Sequence, residues 1–312
     1  MLLTLLEITV PVFMIIAAGF AALKLKVMPD SSIDPLVKYQ VTIAAPCLLF
    51  LAMLRTDLDT AINPWTLLAF FASGTIIFIL CIIGARMIFR RRPGEAVAVG
   101  FCAFFPNAVL LGIPITERAF GPETLAAVFG IIAFHSIYNW FTGFLTMEVM
   151  RRDSALLSGL GKAFMTTFSN PLMIGLMLGI VWNLAGLPLP GMIEDGMDIV
   201  AASMIPVALF SLGGVLTRYR LIEKIGEAGM ITLFSLILHP ALAWVLTAHV
   251  FALEPHFVQA AVIITAMPVG INSYIFASVY GRAMGTAASA VLLSTVCSLF
   301  TITVWLAVLG GG

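Results

Sequence analysis

Two stretches set amides beside prolines inside apolar sequence. One is "FFPNAVLLGIPI", with Pro106, Asn107, Gly112 and Pro114. The other is "AMPVGINSYIFASVYG", with Pro268, Gly270, Asn272 and Ser273. Proline has no N–H and clashes with the preceding turn, so each stretch interrupts a helix. A new half-helix begins after each interruption. Asn107 is placed to cap the first, and Asn272 or Ser273 the second. Helix N-termini carry free N–H groups and partial positive charge. That equipment binds an anion, above all a carboxylate, without a fixed cation. The neighbours Phe104, Phe105, Met267 and Ile271 are apolar and strengthen those dipoles by lowering the local dielectric.

Further polar residues sit deep in apolar sequence. His135 and Asn139 stand at i, i+4 beside Ser136, and His239 precedes Pro240. Intramembrane ionisable residues are functional candidates, and free histidine titrates near neutrality, so His135 and His239, with Asn139, are candidate proton or anion partners. Gln40 and Thr42 are candidates to line a cavity. No HExxH, GxSxG or pair of mid-span aspartates occurs, so the sequence offers no catalytic set. Cys47, Cys81, Cys102 and Cys297 are irregularly spaced in apolar runs, which supports neither a disulfide framework nor a metal site. No cofactor is expected.

What positions these residues is a membrane. The 312-residue chain is 61% hydrophobic and 10% charged, with mean hydropathy +1.09. Soluble domains carry about 25% charged residues, so the solvent here is lipid. The formal net charge is zero, which gives no electrostatic case for nucleic acid. Apolar runs long enough to span predict ten helices, near 4–23, 33–54, 64–89, 95–119, 123–149, 163–185, 195–217, 227–252, 257–280 and 284–309. The first lacks a basic region before it and a small-residue cleavage site after it, and reads as a retained helix. All but Arg55 and Arg118 of the 16 basic residues fall in loops after odd-numbered spans. This asymmetry predicts that both termini face away from the cytoplasm.

The halves match at an offset of 160: Pro11 with Pro171, Gly19 with Gly179, "PCLLF" at 46–50 with "PVALF" at 206–210. "AFG" at 119–121 likewise matches "VYG" at 279–281. Residues 1–150 and 151–312 then form two five-helix units. An odd number of spans inverts the second unit, and inverted repeats are a mark of secondary transporters. The fold class expected is an all-α polytopic membrane protein with a 5+5 inverted repeat. Its broken helices 4 and 9 are repeat-related, which points to a binding site between them.

"FPNAVLLGIPITERAFG", "SNPLMIGLMLGIVWNLAG" and "MPVGINSYIFASVYG" closely resemble stretches of the auxin efflux carrier family, including its PIN-type members. The likeness spans nearly the whole chain. Only about 13 residues separate spans 5 and 6, as in compact bacterial members, which include malonate and other organic-acid permeases. The resemblance implies crossing helices 4 and 9, a scaffold of helices 1, 2, 6 and 7, elevator movement and a homodimer in the cytoplasmic (inner) membrane. It carries the crossing prolines and asparagine onto Pro106, Asn107 and Pro268. Plant members place an Asp and a Lys on helix 3, where "FFASGTIIF" here has only Ser73 and Thr75. The expected function is secondary transport of a small organic anion. The alternative is a sodium-coupled symporter of the bile-acid type, which shares the crossing architecture. The absence of an acidic residue in "AMPVGINSYIFAS" favours proton coupling or facilitated flow instead.

Overall fold

A computed structural model describes residues 2–55, 63–151, 171–218 and 224–310. Arg152, Lys162, Arg220 and the first part of the sixth expected span lie outside the described residues. Described elements are helical throughout: α1 (Leu2–Lys24), α2 (Asp30–Arg55), α3 (Pro64–Met87) and α4 (Pro93–Phe104) come first. Then follow α5 (108–120), α6 (Pro122–Arg151), α7 (Pro171–Leu184) and α8 (Gly191–Leu216). The last are α9 (Ile225–Val250), α10 (Pro255–Thr265), α11 (Ile271–Val279) and α12 (Met284–Val308). Six of these stretches, in α2, α3, α6, α8, α9 and α12, are long and apolar enough to cross a membrane, and shorter apolar helices accompany them.

The sequence explains where helices start. Pro64, Pro93 and Pro255 occupy first-turn positions, where the missing N–H costs nothing. Asn63 caps α3, its side-chain oxygen accepting from the N–H of Trp65 at 2.9 Å and of Thr66 at 3.3 Å. Three interior prolines are handled differently. The turns Gln40–Ala44, Ala108–Gly112 and Phe234–Leu238 widen to π geometry. Pro46, Pro114 and Pro240 each stand two residues beyond such a turn. The wider turn absorbs the clash between the proline ring and the carbonyl four residues back. Sequence reading placed interruptions only in spans 4 and 9; the π turns in α2 and α9 are additional.

Two helix pairs approach closely. α1 packs along α8, and α7 along α2. Glycine makes both possible. A Cβ on Gly19 would lie 1.9 Å from the Phe210 carbonyl oxygen, and one on Gly179 would lie 2.5 Å from that of Phe50. These two contacts exchange into one another under the 160-residue register. Ion pairs close both ends of the α2–α8 contact. Arg55 at the end of α2 meets Glu194 at 2.7 Å and Asp198 at 2.6 Å in α8. Beyond α8, Arg218 meets Asp30 at 2.9 Å and Asp34 at 2.6 Å at the start of α2. The remaining helices pack chiefly among themselves: α3 on α4, α6 on α4, α5 and α10, and α12 on α9 and α11.

Candidate functional site

The chain leaves helical geometry between α4 and α5, and again between α10 and α11. The two breaks lie against each other as an antiparallel bridge from Pro106 to Val269. Asn107 N–H donates to the Pro268 carbonyl at 2.8 Å, and Gly270 N–H donates to the Phe105 carbonyl at 2.8 Å. The bridge therefore pairs Pro106 with Val269, Asn107 with Pro268 and Phe105 with Gly270, rather than proline with proline. Backbone groups freed by one proline are satisfied largely by the other break. That resolves the cost of unpaired polar groups in hydrocarbon, several kcal/mol each by rough measure. Three side chains complete the job. Ser294 Oγ accepts from Val269 N–H at 3.0 Å, Ser235 Oγ donates to the Met267 carbonyl at 3.4 Å, and Asn139 Nδ2 donates to the Phe104 carbonyl at 3.3 Å.

The sequence reading of the caps needs correction. Asn107 does occupy the N-cap position, but its side chain makes no capping hydrogen bond. The cap of α11 is Gly270, with Asn272 and Ser273 inside the first turn. The reason is the bridge. It requires an extended residue just before α11, and Gly270 adopts φ −73°, ψ 151° there. A Cβ on Gly270 would stand 3.1 Å from the Phe105 oxygen and 3.2 Å from that of Pro106. The carboxamide of Asn107 is thus left without a protein partner among the described residues, at 7% exposure. The first-turn N–H groups of Val109, Leu110, Ile271 and Asn272 donate to no described backbone carbonyl.

Of the other expected residues, Gly112 sits at the crossing. A Cβ there would meet Ile264 Cδ1 at 2.6 Å and Met267 Cγ at 3.5 Å, so glycine lets α5 lie close to α10. Pro114 is buried one step further along α5. Ser273 is fully buried and its Oγ has no partner. Gln40 is buried and accepts a hydrogen bond from Ser211 at 2.9 Å, joining α2 to α8. Thr42 faces outward and donates to the Lys38 carbonyl at 2.7 Å. His135, Asn139 and His239 lie behind the crossing. The His135 ring is 4.7 Å from Phe105, centroid to centroid, and both histidines pack near Phe70.

Sequence reasoning missed several contributors. Ser235 and Ser294 look like ordinary small residues in apolar helices. Only the bridge reveals their role. At the other end of α4, Arg91 forks onto Glu227 at 2.9 and 2.8 Å, and Thr286 donates to the same carboxylate at 2.8 Å. The carboxylate raises the Arg91 guanidinium above its usual range. Arg91 entered the sequence argument only as a topology marker, because its partner lies 136 residues away. A separate cleft of about 360 Å³, lined by Phe120, Thr124, His256 and Gln259, opens at helix ends away from the crossing.

A chain built this way has a defined kinship. Residues 4–306 match the family model described as membrane transport protein. The chain belongs to that family. It is 24% identical over 298 residues, covering 95% of this chain and 93% of the relative, to a Rhizobium meliloti protein named "Putative malonate transporter". It is 24% identical to an uncharacterized transporter of Methanothermobacter thermautotrophicus, covering 97% of this chain and 98% of that one. It is also 25% identical to auxin efflux carrier component 5 of Arabidopsis thaliana over 62% of this chain and 64% of the relative. The resemblance read from the crossing motifs is therefore real, and the protein is a multi-pass membrane transporter.

Proposed function

We propose that this transporter carries a small organic anion with at least one carboxylate, malonate being the first candidate, bound where the two breaks cross. The observation that carries this reading is the unpartnered Asn107 carboxamide at the head of α5. Beside it are two half-helix N-termini at which the N–H groups of Val109, Leu110, Ile271 and Asn272 donate to no described backbone carbonyl. Partial positive charge and free donors in apolar surroundings favour a carboxylate over an amine or a neutral sugar. The two buried carboxylates among the described residues, Glu148 and Glu227, stand near helix ends, so the crossing holds no built-in counter-charge.

Movement follows the elevator scheme in this reading. Helices α1, α2, α7 and α8 form the scaffold, and the rest slide as a body carrying the crossing. Val109 and Leu110 of the crossing pack against Ala44, Ala45, Met204 and Ala208, mostly small side chains over which a body can slide. The symmetry of the Gly19–Phe210 and Gly179–Phe50 contacts supports the inverted repeat. The working unit is a homodimer in the cytoplasmic membrane, with ten spans and both termini outside.

Purified protein in proteoliposomes should take up labelled malonate or a close carboxylate. Asn107→Ala should weaken binding roughly tenfold, as loss of one hydrogen bond of about 1–2 kcal/mol implies. A thermal-shift panel of mono- and dicarboxylates, amines and sugars identifies the class. Stabilisation by an amine or sugar alone, with carboxylates inert, would refute the anion reading. Uptake that follows a sodium gradient would favour a sodium symporter.

A further inference from the structure

Behind the crossing lies a pocket of polar atoms with nothing to bond. His135 on α6 and His239 on α9 are 2% and 1% exposed, and neither ring nitrogen of either residue has a hydrogen-bond partner. His239 approaches the Ala103 carbonyl without hydrogen-bond geometry. Asn139, one turn from His135, uses its amide nitrogen on Phe104 and leaves Oδ1 unpartnered. All three touch the break itself: His135 stacks edge-on with Phe105, Asn139 holds the Phe104 carbonyl, and His239 Nε2 and the Phe104 ring both border Gly74. The two imidazoles are near enough to interact electrostatically. Buried polar groups are almost always paired, so unpaired ones beside a binding site point to something that binds there.

Given the carboxylate reading above, on which this rests, we propose that His135 and His239, with Asn139, form the site of a proton that enters with the anion. One proton from bulk water adds to an imidazole lone pair as the carboxylate docks at the crossing. It leaves to water at release, and no bond of the anion changes. An imidazolium then stands one residue layer from the anion, which offsets the cost of carrying bare negative charge through hydrocarbon. Asn139 Oδ1 is the acceptor that can steady the imidazolium N–H.

The surroundings leave the histidines alone in this role. Charged residues on the helices packed around them, Arg86, Glu95, Glu117, Arg118, Glu123, Glu148 and Glu227, stand in first or last turns. Arg151 ends α6, His249 and His256 lie at the far end of α9 and the start of α10, and α12 carries no charge. Tyr138 is engaged at 2.6 Å with Thr75, the thiols of Cys81 and Cys102 are held by backbone carbonyls, and Cys297 is half-buried on α12, one turn beyond Ser294. Among the described side chains at this depth, only the imidazoles belong to a type whose free form changes charge near neutrality.

Linkage sets the sign. If anion and proton bind together, each strengthens the other, so malonate affinity rises as pH falls. Proteoliposomes carrying a trapped pH dye test this with malonate as the probe. Wild-type protein should move one proton inward with each malonate, and an inward acid gradient should speed uptake about tenfold. His135→Gln with His239→Gln should abolish the proton signal and flatten the pH profile. Probe ionisation is identical for both proteins, so the difference reports the histidines. Each single variant, and malonate thermal stabilisation at pH 5.5 against 8.0, guards against a folding defect in the pair. Malonate uptake without proton movement, or a double variant with the wild-type proton signal, overturns the inference. No binding of any carboxylate by wild type instead overturns the carboxylate reading beneath it.

Discussion

Asn107 and Asn272 look equivalent as letters, each just beyond a proline in a broken helix. The bridge separates them. Asn107 stands opposite Pro268, with its backbone N–H committed to the Pro268 carbonyl and its carboxamide free. Asn272 lies two residues further, within the first turn of α11 and half-buried. Asn107→Ala should therefore impair malonate binding more than Asn272→Ala, measured by thermal shift on purified protein. Equal effects would count against the asymmetry. The residues that build the two breaks were thus legible in the sequence, since proline, glycine and amide each have a mechanical reason to be there. Their pairing was not. Aligning Pro106 with Pro268 is natural on paper, but hydrogen bonding in a bridge pairs an N–H with a carbonyl across the strands, and that shifts the partner of Pro106 to Val269. Gly270 is the residue where this geometry is tightest. Gly270→Ala pushes a methyl against two backbone oxygens, and an overpacking cost of about 1–3 kcal/mol should lower the melting temperature in detergent.

Elements were read from the sequence with fair accuracy because lipid imposes length and apolarity together. Apart from the two broken spans and the start of the sixth, described helices start and stop within about one turn of the expected spans, since proline and glycine punctuate them. The π turns escaped notice. Nothing in "QVTIAAPC" announces a wide turn, because the same letters suit an ordinary helix with a proline kink. Helix contacts can be tested at Gly19 and Gly179. An added methyl on Gly19 would sit 1.9 Å from the Phe210 oxygen, against 2.5 Å from the Phe50 oxygen for Gly179. Both approaches involve backbone that cannot swing away, so α1 must part from α8, or α7 from α2. Gly19→Ala should lower thermal stability in detergent more than Gly179→Ala, and both should lower it more than Gly196→Ala, whose Cβ meets nothing within 4 Å. A melting temperature for Gly19→Ala equal to that of Gly196→Ala would show that these helices do not pack as described.

At the scale of the molecule, the question is which parts stay and which move. The contact most informative about motion is where the π turn of α5 lies on α8. Val109 and Leu110 rest on Met204 and Ala208 there, and the partner surface continues into Ala44 and Ala45 on α2. This boundary is made by side chains, with Tyr39, Leu48, Val200 and Ile205 around the alanines, whereas the α1–α8 and α2–α7 contacts are locked by backbone-to-backbone approach. A sliding boundary is expected at the first kind of contact and not at the second. Cysteines replacing Val109 and Ala208, in a background without Cys47, Cys81, Cys102 and Cys297, should then cross-link in one conformational state and be freed in the other. Saturating malonate should change the cross-linked fraction, because a ligand bound at the crossing shifts whichever state it fits better. A control pair of cysteines across the α1–α8 contact, which the backbone approach of Gly19 to Phe210 locks, should respond to neither state nor substrate. If the Val109–Ala208 pair cross-links fully under every condition, the two bodies do not slide at this boundary, and alternating access must come from another motion.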